Sequence, residues 1–200
     1  MRRSLLAAVL LAAGCVPDQR PNRMSADRPP PTPREIDEQR KIAEGFEKWN
    51  AATAAGDVEA TYRGMTGAFK SNWMLLRLRD PNDMVTKAFV ARLDADSRLL
   101  LDKWFEAHQK HLRERERPVR LPETILGSQW LFELYREHFS RSKVEMVAQA
   151  KARTITDVYV DGDGVTIVTN TMGRSEMYML SFEGDGWRVD GYLEARMRKP

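Results

Sequence analysis

Between residue 152 and Leu193, apolar and polar residues alternate in short runs rich in Val, Ile, Thr, Tyr, Phe and Trp. Period-two alternation of this kind marks half-buried strands. Two tight turns divide the run, Asp161-Gly162-Asp163-Gly164 and Glu183-Gly184-Asp185-Gly186, and a third bend fits at Asn170-Thr171-Met172-Gly173. Asp-Gly pairs tolerate the positive φ that two-residue hairpin loops require. The pattern predicts an antiparallel meander of three or four strands, near 153–160, 164–171, 174–182 and 186–193.

Upstream the period changes to three and four. Thr32 suits an N-cap, Pro33 the first helical position, and Glu35 completes a capping box. Ile42, Phe46, Trp49 and Thr53 then share one face. Gly56 stops this helix and Asp57 caps a second, on which Val58, Tyr62, Met65 and Phe69 repeat the spacing. From Ser71 to about Ala150 the text stays helical. Asp80-Pro81 opens a helix bearing Met84, Val85, Ala88, Phe89 and Leu93, and Asp94 or Asp96 caps a longer one with Leu100, Leu101, Trp104, Phe105 and Leu112. The alternating charges Arg113-Glu114-Arg115-Glu116-Arg117 read as a solvated face, and Pro118 breaks the helix. Pro122 opens another with Ile125, Leu126, Trp130, Leu134 and His138 or Phe139; residues 141–151 fit either its continuation or a strand.

The N-terminus follows different rules. Met1-Arg2-Arg3 is a short positive region, and Ser4 to Ala13 is an apolar run too short for a permanent membrane span. Leu11-Ala12-Ala13-Gly14-Cys15 resembles a bacterial lipobox, with Ala12 where Leu is commoner. The resemblance implies a signal peptide over 1–14 and a lipidated Cys15 as the mature N-terminus. Val16 lacks the acidic character associated with inner-membrane retention, so the expected site is the outer membrane, facing the periplasm. From Val16 to Pro33 the chain is proline-rich and poor in bulky apolar residues, an extended tether over 15–33. A single α+β domain is expected over 34–195, with an enlarged helical middle at 71–150.

Composition narrows the function. The chain has 32 basic and 29 acidic side chains; without Arg2 and Arg3 the balance is 30 to 29. That near-neutrality argues against a nucleic-acid binder that works by broad phosphate neutralisation. Cys15 is the one cysteine, so no intramolecular disulfide forms. No phosphate-binding glycine loop, nucleophile elbow, paired-cysteine motif or helical zinc-protease motif occurs, and nothing asks for a cofactor.

The opening Phe46-x-x-Trp49 to Ala55-Gly56-Asp57-Val58-Glu59-Ala60, together with Gly186-Trp187-Arg188-Val189-Asp190 near the end, resembles the nuclear transport factor 2-like superfamily. That superfamily includes ketosteroid isomerases, polyketide cyclases and many non-enzymatic modules. The resemblance implies a cone-like α+β fold, a curved antiparallel sheet covered by helices. Its fold alone does not deliver a function. The helical middle departs from the pattern, as a lid, a partner-binding arm or a thicker helical layer.

Candidate chemistry is sparse. His108 and His111 could share a helix face with Glu106 or Glu114, but they read as surface histidines, as does His138 beside Glu137, and no metal site is expected. Arg141, Lys143, Lys151 and Arg153 read as scattered solubilising charge. In the third strand Glu176, Tyr178, Leu180 and Phe182 share one face and Ser175, Met177, Met179 and Ser181 the other. If the first face is concave, Glu176 enters an apolar hollow beside Tyr178 and becomes the candidate catalytic acid or base. The preferred alternative is that Arg174 and Glu176 pair with each other in solvent at the sheet rim. An apolar ligand would meet Trp49, Tyr62, Tyr178, Phe182 and Trp187. The expected function is therefore a non-catalytic, membrane-anchored module binding a protein partner or a small apolar ligand, with a homodimer through the sheet face plausible; a small acid–base isomerase or cyclase is the alternative.

Overall fold

Thr32 starts the first helix by a reciprocal cap: its Oγ1 accepts from Glu35 N at 3.3 Å, and Glu35 Oε2 accepts from Thr32 N at 2.6 Å. A cap of this kind contributes about 1 kcal/mol. The computed structural model describes residues 32–113, 120–161 and 164–194, so the lipobox, the tether, most of the alternating-charge run and the first hairpin loop lie outside the described residues. Seven helices occur among them: α1 (Pro33–Ala55), α2 (Val58–Arg63), α3 (Gly67–Arg79), α4 (Met84–Val90), α5 (Ala95–Arg113), α6 (Glu123–Leu126) and α7 (Gln129–Ala152). Four strands follow, β1 (Arg153–Asp161), β2 (Gly164–Thr171), β3 (Arg174–Glu183) and β4 (Gly186–Glu194), in one antiparallel sheet ordered β1-β2-β3-β4.

The strands fall within a residue of the boundaries the alternation predicts. The β2–β3 loop is Met172-Gly173, both at positive φ (52° and 80°), and Asn170 Oδ1 accepts from Gly173 N. Gly184 supplies the positive φ of the last turn. Register shifts at Ile155/Asp157 and Met179/Leu180 mark bulges, which bend and twist the strands that carry them.

The helical boundaries differ from the expected ones in three places, and a fourth, left open by the sequence, is settled. The run 58–69 is two helices, because Gly64 ends α2 and Thr66 caps α3 through Phe69 N. Between them Met65 bridges Val189 in parallel, with Val189 N donating to Gly64 O and Thr66 N to Val189 O. This segment covers the β4 edge, which would otherwise offer open pairing groups. Asp83, not Asp80-Pro81, caps α4. Gly127-Ser128 separates α6 from α7. Residues 141–151 are helix throughout, and α7 runs directly into β1.

Two packed cores result. In one, Ile42, Phe46 and Trp49 of α1 meet Val165, Ile167, Tyr178, Leu180 and Val189 of the sheet. The Phe46 ring lies 5.0 Å from Tyr178 and Trp49 lies 5.6 Å from it. In the other, Met74, Leu101, Trp104, Ile125, Leu131 and Leu134 are the centre of a helical layer with Tyr62 and Tyr135. The middle segment is thus a second core of its own, joined to the first where α7 packs on α1, rather than a thicker cover on one core.

Gly45 sets how closely α1 approaches β4. A Cβ there would lie 2.7 Å from Trp187 Cβ and 3.2 Å from its carbonyl oxygen, neither of which can swing away. Alanine would gain about 0.5–1 kcal/mol of helix propensity and lose about 1–3 kcal/mol to overpacking. Gly45→Ala is expected to lower the urea midpoint, a net loss of about 1 kcal/mol; an unchanged or raised midpoint would show that α1 does not rest on β4 there.

Candidate functional site

A buried polar cluster lies where α7 becomes β1. Arg153 is both the C-cap of α7 and the first residue of β1, and its guanidinium points between α1 and the sheet. Arg153 Nε donates to Glu176 Oε2 at 3.2 Å and Nη1 to Asn50 Oδ1 at 2.7 Å. Asn50 Nδ2 in turn donates to Ala150 O at 3.0 Å. The guanidinium also lies over two rings, 4.9 Å from Tyr178 and 5.7 Å from Trp49. Both charged side chains are under a tenth exposed, at 7% and 9%.

Glu176 is held from every side. Its Oε2 also accepts from Thr171 Oγ1 at 2.7 Å and Tyr178 Oη at 3.0 Å, and Oε1 accepts a longer bond from Tyr192 Oη at 3.4 Å. Burial pushes the Tyr178 phenol well above its ordinary value, and the adjacent Glu176 carboxylate pushes the same way against Arg153, so the phenol stays a proton donor. With three donors on one oxygen, the carboxylate is fixed in place and its Oε2 lone pairs are already occupied.

Here the expectation that Glu176 stands in solvent at the sheet rim fails. Glu176 is buried and its cationic partner is Arg153, which the sequence reading had placed among scattered surface charges. Register explains it: Glu176 faces Thr169 across the β2–β3 ladder, on the buried side of the sheet, and β1 begins one strand further over. Arg174 pairs across the ladder with Thr171 at the exposed loop end. No signal in the sequence joins residues 153 and 176; only strand order and register do.

The five aromatic ligand candidates do not converge. Trp49 and Tyr178 meet in the sheet core, Tyr62 belongs to the helical core, and Phe182, 61% exposed, lies against Trp187 at the last hairpin, ring centres 5.6 Å apart. Burial pushes the Tyr62 phenol up to about 12 and the Tyr135 phenol higher still. His108, expected on the surface, is 1% exposed and stands edge-on to Trp104 at 5.4 Å, since the apolar stripe of α5 carries it inward. No group of three or more His, Cys, Asp or Glu able to hold a metal occurs among the described residues.

A second polar cluster joins α4 to α7. Asp83 Oδ1 accepts from Thr86 N at 3.0 Å, and Thr86 Oγ1 donates to Asp83 Oδ2 at 3.0 Å. The threonine proton is thereby used, so His138 Nε2, 3.1 Å from the same hydroxyl, is the donor into it. Protons point from His138 toward Asp83, the reverse of what a histidine base beside a threonine nucleophile requires. Beside the cluster runs an open groove of about 290 Å³, and another of about 340 Å³ lies on the outer face of α1 along Glu44, Glu47, Lys48 and Ala51. No described helix is long and apolar enough to cross a membrane. Compared with known proteins, the chain matches no family model, no curated protein and no solved structure.

Two outcomes follow from these clusters. Arg153→Ala leaves Glu176 buried without its cation and should cost about 3–5 kcal/mol in urea unfolding; a loss below about 1 kcal/mol, the range of a solvated surface pair, would contradict the burial of the pair. Burial first, and then the Arg77 charge, hold the His138 imidazole below its ordinary value; Arg141 acts the same way, and Asp83 and Glu137 act against them. The unfolded chain therefore takes the proton first, and stability falls as pH drops below about 6.5. His138→Gln should lessen that fall between about pH 7.5 and 5.5 in midpoints measured beside the parent; an identical slope would show that His138 is not the group responsible.

Proposed function

We propose that this chain is a lipid-anchored protein of a bacterial cell envelope, moored through Cys15 at the periplasmic face of the outer membrane. Its folded part acts as a cone-like, nuclear transport factor 2-like module that binds a protein partner or a small apolar ligand and catalyses no reaction. The anchoring half of the reading is supported by the lipobox-like Leu11 to Cys15 and the proline-rich stretch behind it. The cone-like half is supported by a long first helix that ends on Gly56 in a left-handed conformation, by Asp57 capping the next helix, and by two register shifts of the kind that bend strands.

One observation carries the non-catalytic reading. Glu176, the carboxylate best suited by sequence to proton transfer, is buried and already bonded to Arg153, Thr171 and Tyr178. An acid–base enzyme needs that group free and facing a hollow. Among protein partners, a second copy suits the outward sheet face: Val168, Met177 and Met179 form a half-buried apolar strip between Thr166, Asn170, Ser175 and Ser181. A homodimer through that strip removes it from water.

Membrane fractionation and sedimentation test the two halves separately. The parent chain is expected in the membrane fraction and Cys15→Ser out of it; unchanged fractionation would refute the anchor. In sedimentation, the Cys15→Ser chain is expected as a dimer and Cys15→Ser with Met179→Glu as a monomer. Equal masses for the two would refute the sheet-face interface.

A further inference from the structure

We propose that the groove between α3, α4 and α5 binds a small amphiphilic anion, a carboxylate or phosphate group carried on a short apolar body. The proposal names a ligand class for the binding-module reading and rests on it. The groove's volume of about 290 Å³ is near the lower end for small-ligand sites.

Its charge is of one sign. Arg77 comes from α3, Lys87 from α4 and Arg98 from α5, and Leu78, Val90 and Ala91 make the apolar walls. Of the acids nearby, Asp83 also forms an ion pair with Arg77 at 3.8 Å, and each is bonded to a backbone amide. Asp80 Oδ1 accepts from Asn82 N, Asp94 Oδ1 from Ser97 N, and Asp83 from both the amide and the hydroxyl of Thr86. Neither Lys87 nor Arg98 forms an ion pair with a described residue. Lys87 Nζ donates to Pro81 O, which leaves two of its protons for another acceptor.

Arg77 is the most telling of the three. Its Nη1 is 3.8 Å from Asp83 Oδ2, beyond hydrogen-bond reach, and its plane is held over the Trp73 ring at 5.7 Å. Its Nε–H is buried and has no hydrogen-bond partner among the described residues. That donor is closed to the groove; the side chain as a whole is 39% exposed and lines it, so an anion there would meet the exposed part of the charge. A bare inorganic anion would use the cations and leave Leu78 and Val90 in water. A ligand with an apolar body covers them too, which is why the occupant is amphiphilic.

Isothermal titration tests this on the full chain carrying Cys15→Ser, with octanoate and octyl phosphate below their micelle-forming concentrations. Inorganic phosphate and octyl glucoside serve as the two half-ligands. Saturable binding of at least one amphiphile is expected, about tenfold weaker in Arg98→Gln and weaker again in Arg98→Glu, with each half-ligand binding at least about tenfold worse. Arg98 is exposed on the first turns of α5, and unchanged circular dichroism of both variants will show that the fold is kept. No saturable binding by the parent, affinities indifferent to Arg98, or inorganic phosphate binding as well as octyl phosphate would each overturn the proposal. The dimer and membrane measurements do not depend on this groove, so its failure is distinguishable from failure of the binding-module reading.

Discussion

The guanidinium of Arg153 is the joint on which the two halves of the molecule meet. It ends the longest helix and begins the sheet in a single residue, and it reaches Asn50 on α1 and Glu176 on β3 from that position. Taking two charges out of water is costly, and the cost is offset only where the remaining donors and acceptors are also filled. Here Thr171, Tyr178 and Tyr192 fill the carboxylate and the Trp49 and Tyr178 rings take the guanidinium faces. Such a network contributes to the choice of one arrangement over others as much as to stability: α7, α1 and β3 must all be in register for its bonds to form.

That constraint decides what the rest of the chain is free to do. The sheet face against α1 is filled by Phe46, Trp49 and Tyr178 and tied by the ion pair, so the inside of the sheet is packed core. The surfaces left open are the outward sheet face and the helical half. In the helical half, α4 and α5 begin at the polar side chains of Asp83 and Asp94, and basic side chains from α3, α4 and α5 line a common groove. The Glu176–Arg153 pair is interior, whereas Arg77, Lys87 and Arg98 line the open groove.

Much of the fold was legible in local chemistry. Thr32, Pro33 and Glu35 announce α1, and the glycines at 173 and 184 announce hairpins whose loops need positive φ. Alternation along β3 also places Glu176 on the buried face. What could not be read is pairing at a distance. Arg153 lies 23 residues from Glu176 and 103 from Asn50, and its burial depends on strand order and on a bulge, neither of which has a local mark. The helical middle failed for a related reason. Apolar stripes on α3, α5 and α7 show that each helix is buried on one side, but not that they bury against one another rather than on the sheet. His108 was misjudged because the charges around it outnumber the apolar neighbours that carry it inward.

A double-mutant cycle on the central pair tests this account most directly, with Arg153→Met, Glu176→Gln and both together, followed by urea unfolding. If the pair is a buried joint, the double variant will be less destabilised than the sum of the singles, with a coupling of about 1–3 kcal/mol. Additivity within about 0.5 kcal/mol would mean that the two charges do not depend on each other, and that the helical and sheet halves are held together by something else.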